Sequence, residues 1–553
     1  MIKFASKNNY MANAEIFTPP AVVDYMVKAV EQTLGRHISL GDKILEPSSG
    51  DGAFVIPLLR QVLQAATPCD WSSMLWNDLF RAFEVNLLHA EKLEFAINAI
   101  LAEFGCPVSR AQELVQKWIV REDFLLANLN AVKFDIVIGN PPYIRYDAIP
   151  KEKVRMYQSL FSTFRGRCDL YVPFVQKALS LMAEEGVFCF ICSNRFAKSD
   201  YGKFLRGYLS AQYHIGLYLN LEHAGVFGKE VAAYPAILLV DRKLGEPTFT
   251  ASVSSLNQSS LSSFQLGHSR FLSVFPNWYS GKEPWVTTDI SAWNWMRSLQ
   301  ENLPVLSESA PGTQIGIGVA TGNDDVFVVK APVTQIEKDC LLPLTTSEDI
   351  RQGRIHGDCY LVNPYMPDNS GHLRVLDERP GLKAYLTKHR EELARRFVSQ
   401  KGKWYRTIDR VNDWLFHRAK ILLPDIQSGG VVGMDNDGTV YPHHNVYWIV
   451  SDVWPLHSLA AILKSEFVAR QIRLYSSEMR GGSIRYQVKN LERLRIPPCA
   501  AFSSNEKMLL KDFFIHNQTA EINLLVNTVV ERCLQDESTK LSVKLHQQFF
   551  EFN

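Results

Sequence analysis

The sequence predicts an α/β protein. A mostly parallel, doubly wound sheet over residues 1–245 is followed by a mixed α+β domain over residues 246–553. Three observations carry this reading. Short apolar runs rich in β-branched residues alternate with helical stretches through the first half of the chain. The early runs end in small or acidic residues, as strand C-termini do where such sheets bind ligands. Near residue 246 the chain turns Ser-rich in "GEPTFTASVSSLNQSSLSSF", a crossover between domains. At 553 residues the chain exceeds what one hydrophobic core supports, so two or three domains are expected.

The elements follow in order. "TPPAVVDYMVKAVEQTL" begins at Thr18 with prolines at helix-start positions and continues with apolar residues at helical spacing. "DKILEPSSGDGAFVIPLLRQVLQ" reads as a short strand Lys43–Leu45, a small-residue loop from Glu46 to Gly52, and a helix. "LFRAFEV" is a strand ending on Glu84, with the helical "NLLHAEKLEFAINAIL" behind it. "WIVREDFL" gives a strand ending near Asp123. "FDIVIGNPPYIRYD" is a buried strand that Gly139 closes before Asn140, Pro141, Pro142 and Tyr143. "GVFCFICS" and "AAYPAILLVDR" supply two more strands. Cys189 and Cys192 are the only close cysteine pair, and their pattern is that of a buried strand, so no metal is expected there.

Chemistry gathers at the strand ends. The loop "EPSSGDG" is small enough for backbone amides to approach a ligand, yet it lacks the G-x-G-x-x-G of a dinucleotide site. Glu84 is placed to accept from ribose hydroxyls, and Asp123 beside Phe124 to accept from an exocyclic amine while the ring packs on a purine. Two consecutive prolines fix φ twice and remove two backbone donors, leaving the carbonyls of Asn140 and Pro141 as rigid acceptors.

These residues resemble the γ-class N6-adenine DNA methyltransferases of restriction–modification systems, of the TaqI type. The matching stretches are "IFTPPAVVDYMV", "ILEPSSGDGAF", "FEVN", "REDFL", "FDIVIGNPPY", "DLYVPFVQKALSLMAEEGVFCFICSNRF" and "DYGKFLRGYL", in that order, over residues 15–240. N-P-P-Y alone is also similar to glutamine-directed protein methyltransferases and to some RNA methyltransferases. The resemblance implies a seven-stranded, Rossmann-like S-adenosylmethionine-dependent methyltransferase domain and a C-terminal target-recognition domain. It implies that Thr18, Glu46, Pro47, Ser48, Ser49, Glu84, Asp123, Phe124 and Pro142 surround S-adenosylmethionine. Thr18 and Glu46 would hold its methionine end. A long insertion between Glu46 and Glu84 leaves Asp78 as a rival for the ribose. It further implies catalysis by Asn140, Pro141, Pro142 and Tyr143 on an extruded adenine. Tyr143 can stack on that base; Tyr201 is a candidate second aromatic wall or else a core tyrosine on an amphipathic helix, and Phe196 is an alternative should Tyr143 only scaffold the turn.

The second half should then read double-stranded DNA. Net charge is only +1, so any nucleic-acid footprint is local. Residues 383–420 hold eleven Lys or Arg against four Asp or Glu, interleaved with Tyr385, Phe397, Trp404, Tyr405, Trp414 and Phe416. "EMRGGSIRYQVKNLERLRIPP" is a second basic stretch, resembling the end of TaqI-type specificity domains, with Arg480, Arg485 and Lys489 as DNA-contacting candidates. "IGIGVATGNDDVFVV" and "GGVVGMDNDGTVYPHHNVYWIV" read as β segments, and "NEKMLLKDFFIHNQTAEINLLVNTVVERCL" as helical. "LLPDIQSGGVV" lacks the acidic-x-Lys partner of a nuclease, which argues against a fused endonuclease. A cognate restriction endonuclease is the further partner such a protein would have. The N-terminus has no apolar segment of signal type, and a cytoplasmic protein is expected.

Overall fold

A computed structural model describes residues 18–129, 132–227, 234–253, 272–276, 278, 281–401, 403–476 and 483–535. The chain divides into two compact units, residues 1–293 and 294–553.

Among the described residues the first unit is built on nine strands: β1 (Ile44–Glu46), β2 (Phe80–Phe83), β3 (Ile119–Val120), β4 (Phe134–Gly139), β5 (Met182–Ser193), β6 (His214–Asn220), β7 (Pro235–Asp241), β8 (Thr248–Ser252) and β9 (Ser273–Phe275). Their order is β3-β2-β1-β4-β5-β7-β6-β8-β9. β1 to β5 run parallel, and β7 is inserted antiparallel between β5 and β6. Strand order reverses between β1 and β4, the point at which an open α/β sheet leaves a crevice beyond its strand C-termini.

Alternation along the strands divides the core in two. Ile44, Ile136, Ile138, Val187, Cys189 and Ile191 enter one apolar cluster, while Leu45, Val137, Phe188, Phe190 and Cys192 enter the other. Cys189 and Cys192 thus point to opposite faces of β5 and cannot hold one ion together. Burial raises both thiols, that of Cys192 to about 12.

Two features depart from the sequence reading. β6 directly follows helix Lys203–Gln212 with only Tyr213 between them, so no turn residue marks the change of period. The Ser-rich stretch from residue 245 does not begin a new domain. Its first residues form β8, which pairs with β6 in parallel, and β9 pairs with β8. The division between the compact units therefore falls at 293/294 rather than 245/246. The polar residues of its first part are accommodated: Thr250 is fully buried, and its hydroxyl donates to the Thr288 carbonyl at 2.6 Å. Residues 254–264 of that stretch lie outside the described residues.

The second unit holds two four-stranded sheets. One has the order Gln314–Ile317, Val446–Val450, Lys420–Pro424, Gly433–Asp435; the other has Val328–Lys330, Cys359–Val362, Leu341–Thr345, Tyr441–Pro442. The expected C-terminal helical run forms helices Ser504–Ile515 and Thr519–Gln535. Among the described residues no helix is long and apolar enough to cross a membrane.

Candidate functional site

The cavity at the switch point is lined by Thr18, Glu46, Pro47, Ser48, Ser49, Glu84, Asp123, Phe124, Asn140, Pro141, Pro142 and Tyr143, so one crevice, open at its mouth, gathers all of these sequence-selected residues. Apolar walls with a few convergent polar groups suit a small-molecule or cofactor site. The register explains the convergence: Glu46 ends β1, Glu84 follows β2, Asp123 lies beyond β3, and Asn140 follows β4.

The Glu46 carboxyl is 2% exposed. Burial pushes its pKa well up, the Val55 N–H opposes that, and the charges of Glu84 and Asp51 add to it. Its Oε2 is buried with no hydrogen-bond partner among the described residues. A buried acceptor left without a donor costs about 1–3 kcal/mol, so this oxygen is a fit for a ligand amine. Glu84 is oriented by two amides: Gly50 N–H donates to Oε2 at 2.9 Å and Asn86 N–H to Oε1 at 2.6 Å. Gly50 and Gly52 have φ of +54° and +96°, which lets the loop after β1 curl back toward Glu84. Asp78, the alternative, precedes β2 at the opposite end of the strand, is 56% exposed beside Lys43 and Arg81, and does not line the cavity.

Asp123 is more heavily engaged. Its Oδ2 accepts from Lys153 Nζ at 2.7 Å and from Tyr157 Oη at 2.7 Å, and its Oδ1 accepts from Leu125 N–H at 3.1 Å. A carboxylate has about four lone-pair sites, so Oδ1 retains one for a ligand. Phe124 stands edge-on to Phe83 at 5.3 Å, with Lys177 Nζ 4.9 Å from its ring centre. Lys177 donates to the Phe124 and Ala127 carbonyls, and desolvation lowers its pKa to about 8.

The Asn140 side chain donates through Nδ2 to Thr18 Oγ1 at 3.1 Å, turning Oδ1 to the other side, and its backbone carbonyl accepts from Ser48 Oγ at 2.8 Å. The turn is therefore held from β1's loop as well as by its prolines. The Tyr143 hydroxyl donates to the Ile191 carbonyl at 3.4 Å, and its ring meets Phe227 edge-to-face at 5.9 Å. Burial raises the Tyr143 pKa. Phe227 was not legible in the sequence, because it lies in a loop beyond β6. Phe174, which also lines the cavity, stood in the sequence only within a matching stretch and carried no role. Tyr201 does not line the cavity. Its hydroxyl lies 3.2 Å from that of Tyr171 and donates to Asp169 at 3.4 Å. Phe196 is fully buried.

In the second unit several of the interleaved aromatics belong to the core rather than the surface. Tyr405 is buried, and Tyr385, Trp404, Trp414 and Phe416 pack against the same apolar cluster, while Phe397 is 70% exposed. Lys420 is fully buried against Asp435 at 2.7 Å. Arg485 is half exposed and paired with Asp425 at 3.0 Å, Lys489 is half-buried, and Arg480 lies outside the described residues.

Residues 66–227 match the Eco57I restriction-modification methylase family. The chain is 32% identical to the Type II methyltransferase M.BstVI of Geobacillus stearothermophilus, over 95% of this chain and 98% of the relative. It is 34% identical to M.PaeR7I of Pseudomonas aeruginosa over 89% and 87%. M.XhoI of Xanthomonas vasicola is 33% identical over 87% and 90%. Its fold is similar to that of the Type IIL restriction-modification enzyme MmeI, with a TM-score of 0.59 at 12% identity, covering 97% of this chain and 77% of that one. S-adenosylmethionine is the methyl donor of the matched methylase family. With a one-to-one match along nearly its whole length, the chain belongs to the Type II DNA methyltransferases of restriction–modification systems.

Proposed function

We propose that the protein transfers a methyl group from S-adenosylmethionine to the N6 amine of adenine at a defined site in duplex DNA, acting on a base extruded from the helix. The observation that carries this reading is the convergence of Asn140, Pro141 and Tyr143 with three acidic residues in one crevice. The residues fit the cofactor. Buried Glu46 and Thr18 suit the methionine ammonium end, Glu84 the ribose hydroxyls, Asp123 Oδ1 an exocyclic amine, and Phe124 a purine face. When bound, the cofactor supplies an electrophilic methyl group on a sulfonium.

The protein's share is positional. The adenine amine is conjugated into its ring and is a poor nucleophile. Asn140 Oδ1 and the Pro141 carbonyl accept its two N–H groups and draw the nitrogen toward tetrahedral geometry, which frees its lone pair for attack. A neutral amide does this without holding a permanent proton, and the Thr18 and Ser48 contacts keep it rigid. Chemistry on a base inside a duplex requires extrusion, and Tyr143 and Phe227 offer aromatic surface to receive it. The exposed basic residues of the second unit, Arg485 among them, are proposed as the DNA-reading surface.

Tritiated S-adenosylmethionine with a duplex oligonucleotide library, followed by nucleoside mass spectrometry, tests the reading. The label is expected in N6-methyladenine alone. Label in cytosine, or in RNA or protein supplied alongside, would overturn it.

A further inference from the structure

The second unit carries a cluster that methyl transfer does not use. Asp324, His443 and His444 each offer one donor atom, and these atoms lie within 4.8 Å of one another. Asp324 Oδ2 is 3.1 Å from His443 Nε2 and 3.8 Å from His444 Nδ1. Two donors bound to one ion at about 2.0–2.1 Å stand roughly 3 Å apart, so the Asp324–His443 pair already has the required separation. His444, whose Nδ1 is 3.8 Å from the same oxygen, must move closer to join it. It is 46% exposed and has that freedom.

The surroundings fix the other two donors. His443 has a side chain only 10% exposed, its N–H donates to the Thr345 carbonyl at 3.0 Å, and its own carbonyl accepts from Val446 at 2.8 Å. Asp324 Oδ1 accepts from the Thr321 hydroxyl at 2.5 Å, leaving Oδ2 directed at the two imidazoles. Such an outer contact orients a ligating carboxylate. Asp409 and Asp425 add negative charge at His444.

We propose that Asp324, His443 and His444 form a binding site for a divalent transition-metal ion of the zinc type, with three protein ligands and the remaining positions open to water. Two imidazoles and one carboxylate suit zinc, cobalt or nickel, whereas magnesium and calcium favour all-oxygen sets. The ion ties the Thr321–Asp324 turn to the chain at His443, where Val319 already forms an isolated parallel bridge. It stabilises this unit rather than taking part in methyl transfer.

The test uses the full chain, freed of any affinity tag and stripped of metal, titrated calorimetrically with zinc and, separately, with magnesium. One zinc ion per chain with micromolar affinity is expected, with no magnesium uptake at the same concentrations. Asp324→Asn and His444→Gln should each weaken zinc about tenfold or more. Substitution at half-exposed His444 leaves the core intact, and thermal denaturation without metal verifies folding of each variant. Zinc should also raise the wild-type denaturation temperature, and raise that of His444→Gln by less at the same zinc concentration. Absence of zinc binding to wild type, or binding unchanged in the double variant, overturns the proposal.

Discussion

At the residue scale, Glu46 makes a prediction with a definite sign. Its pKa is raised in the fold by burial. Between the ordinary carboxyl value and that raised value the folded chain binds more protons than the unfolded one, so this group's contribution to stability falls as pH rises through the window. An ammonium group beside Glu46 favours the ionised form, so cofactor binding should release a proton. Affinity should therefore fall as pH drops below the raised pKa. Calorimetry in buffers of different ionisation enthalpy measures the release, and Glu46→Gln should remove it. Proton-neutral binding with a flat pH profile would separate Glu46 from the ammonium. Asn140→Ala should nearly abolish transfer while leaving cofactor affinity within a few-fold; parallel loss of both would contradict its role toward the base. Tyr143→Phe keeps the ring and should retain much activity. Tyr143→Ala should lose roughly 10–100-fold in single-turnover rate, the loss expected for removing a base–aromatic contact of about 1–3 kcal/mol. Equal rates for the two variants would reduce Tyr143 to a scaffold for the turn.

At the scale of elements, the helix Lys151–Leu160 that follows the Asn140–Tyr143 turn reaches back to the same crevice, because Lys153 and Tyr157 hold Asp123 Oδ2. Lys153→Met should raise the cofactor dissociation constant several-fold, consistent with losing a charge-assisted hydrogen bond, while kcat at saturating cofactor changes little. A fall in kcat at unchanged affinity would place Lys153 on the base side instead. This contact was illegible in the sequence, since nothing in "KEKVRMYQSL" marks which of its residues point at a carboxylate some thirty positions earlier. The strand ends were legible for the opposite reason. Glu46, Glu84, Asp123 and Asn140 each follow an apolar run, and a parallel sheet brings such ends to one edge. β6 was missed because it continues a helical apolar pattern without a turn. Tyr201 lies in the turn before helix Lys203–Gln212, and sequence does not show whether a tyrosine there faces a cavity or, as here, Tyr171 and Asp169. The basic–aromatic stretch misled in the same way: sequence shows the charge of Lys420 but not the buried Asp435 that receives it.

For the whole molecule, the division at 293/294 changes which fragment should fold. A chain ending at residue 245 loses β8 and β9 and leaves the β6 edge unpaired, whereas one ending at 293 keeps the nine-stranded sheet. The longer fragment should stay monomeric and bind cofactor, and should lose site-specific methylation if the second unit reads DNA; the shorter should aggregate. Equal solubility and cofactor binding of the two fragments would restore the earlier boundary. The most direct measurement takes the intact protein, expressed in a host free of DNA methylation, and maps modified bases genome-wide by single-molecule sequencing. N6-methyladenine should appear at one short recurrent motif and vanish with Asn140→Ala. Modification at cytosine, scattered adenines without a motif, or a pattern unchanged by that substitution would contradict site-specific adenine methylation by this crevice.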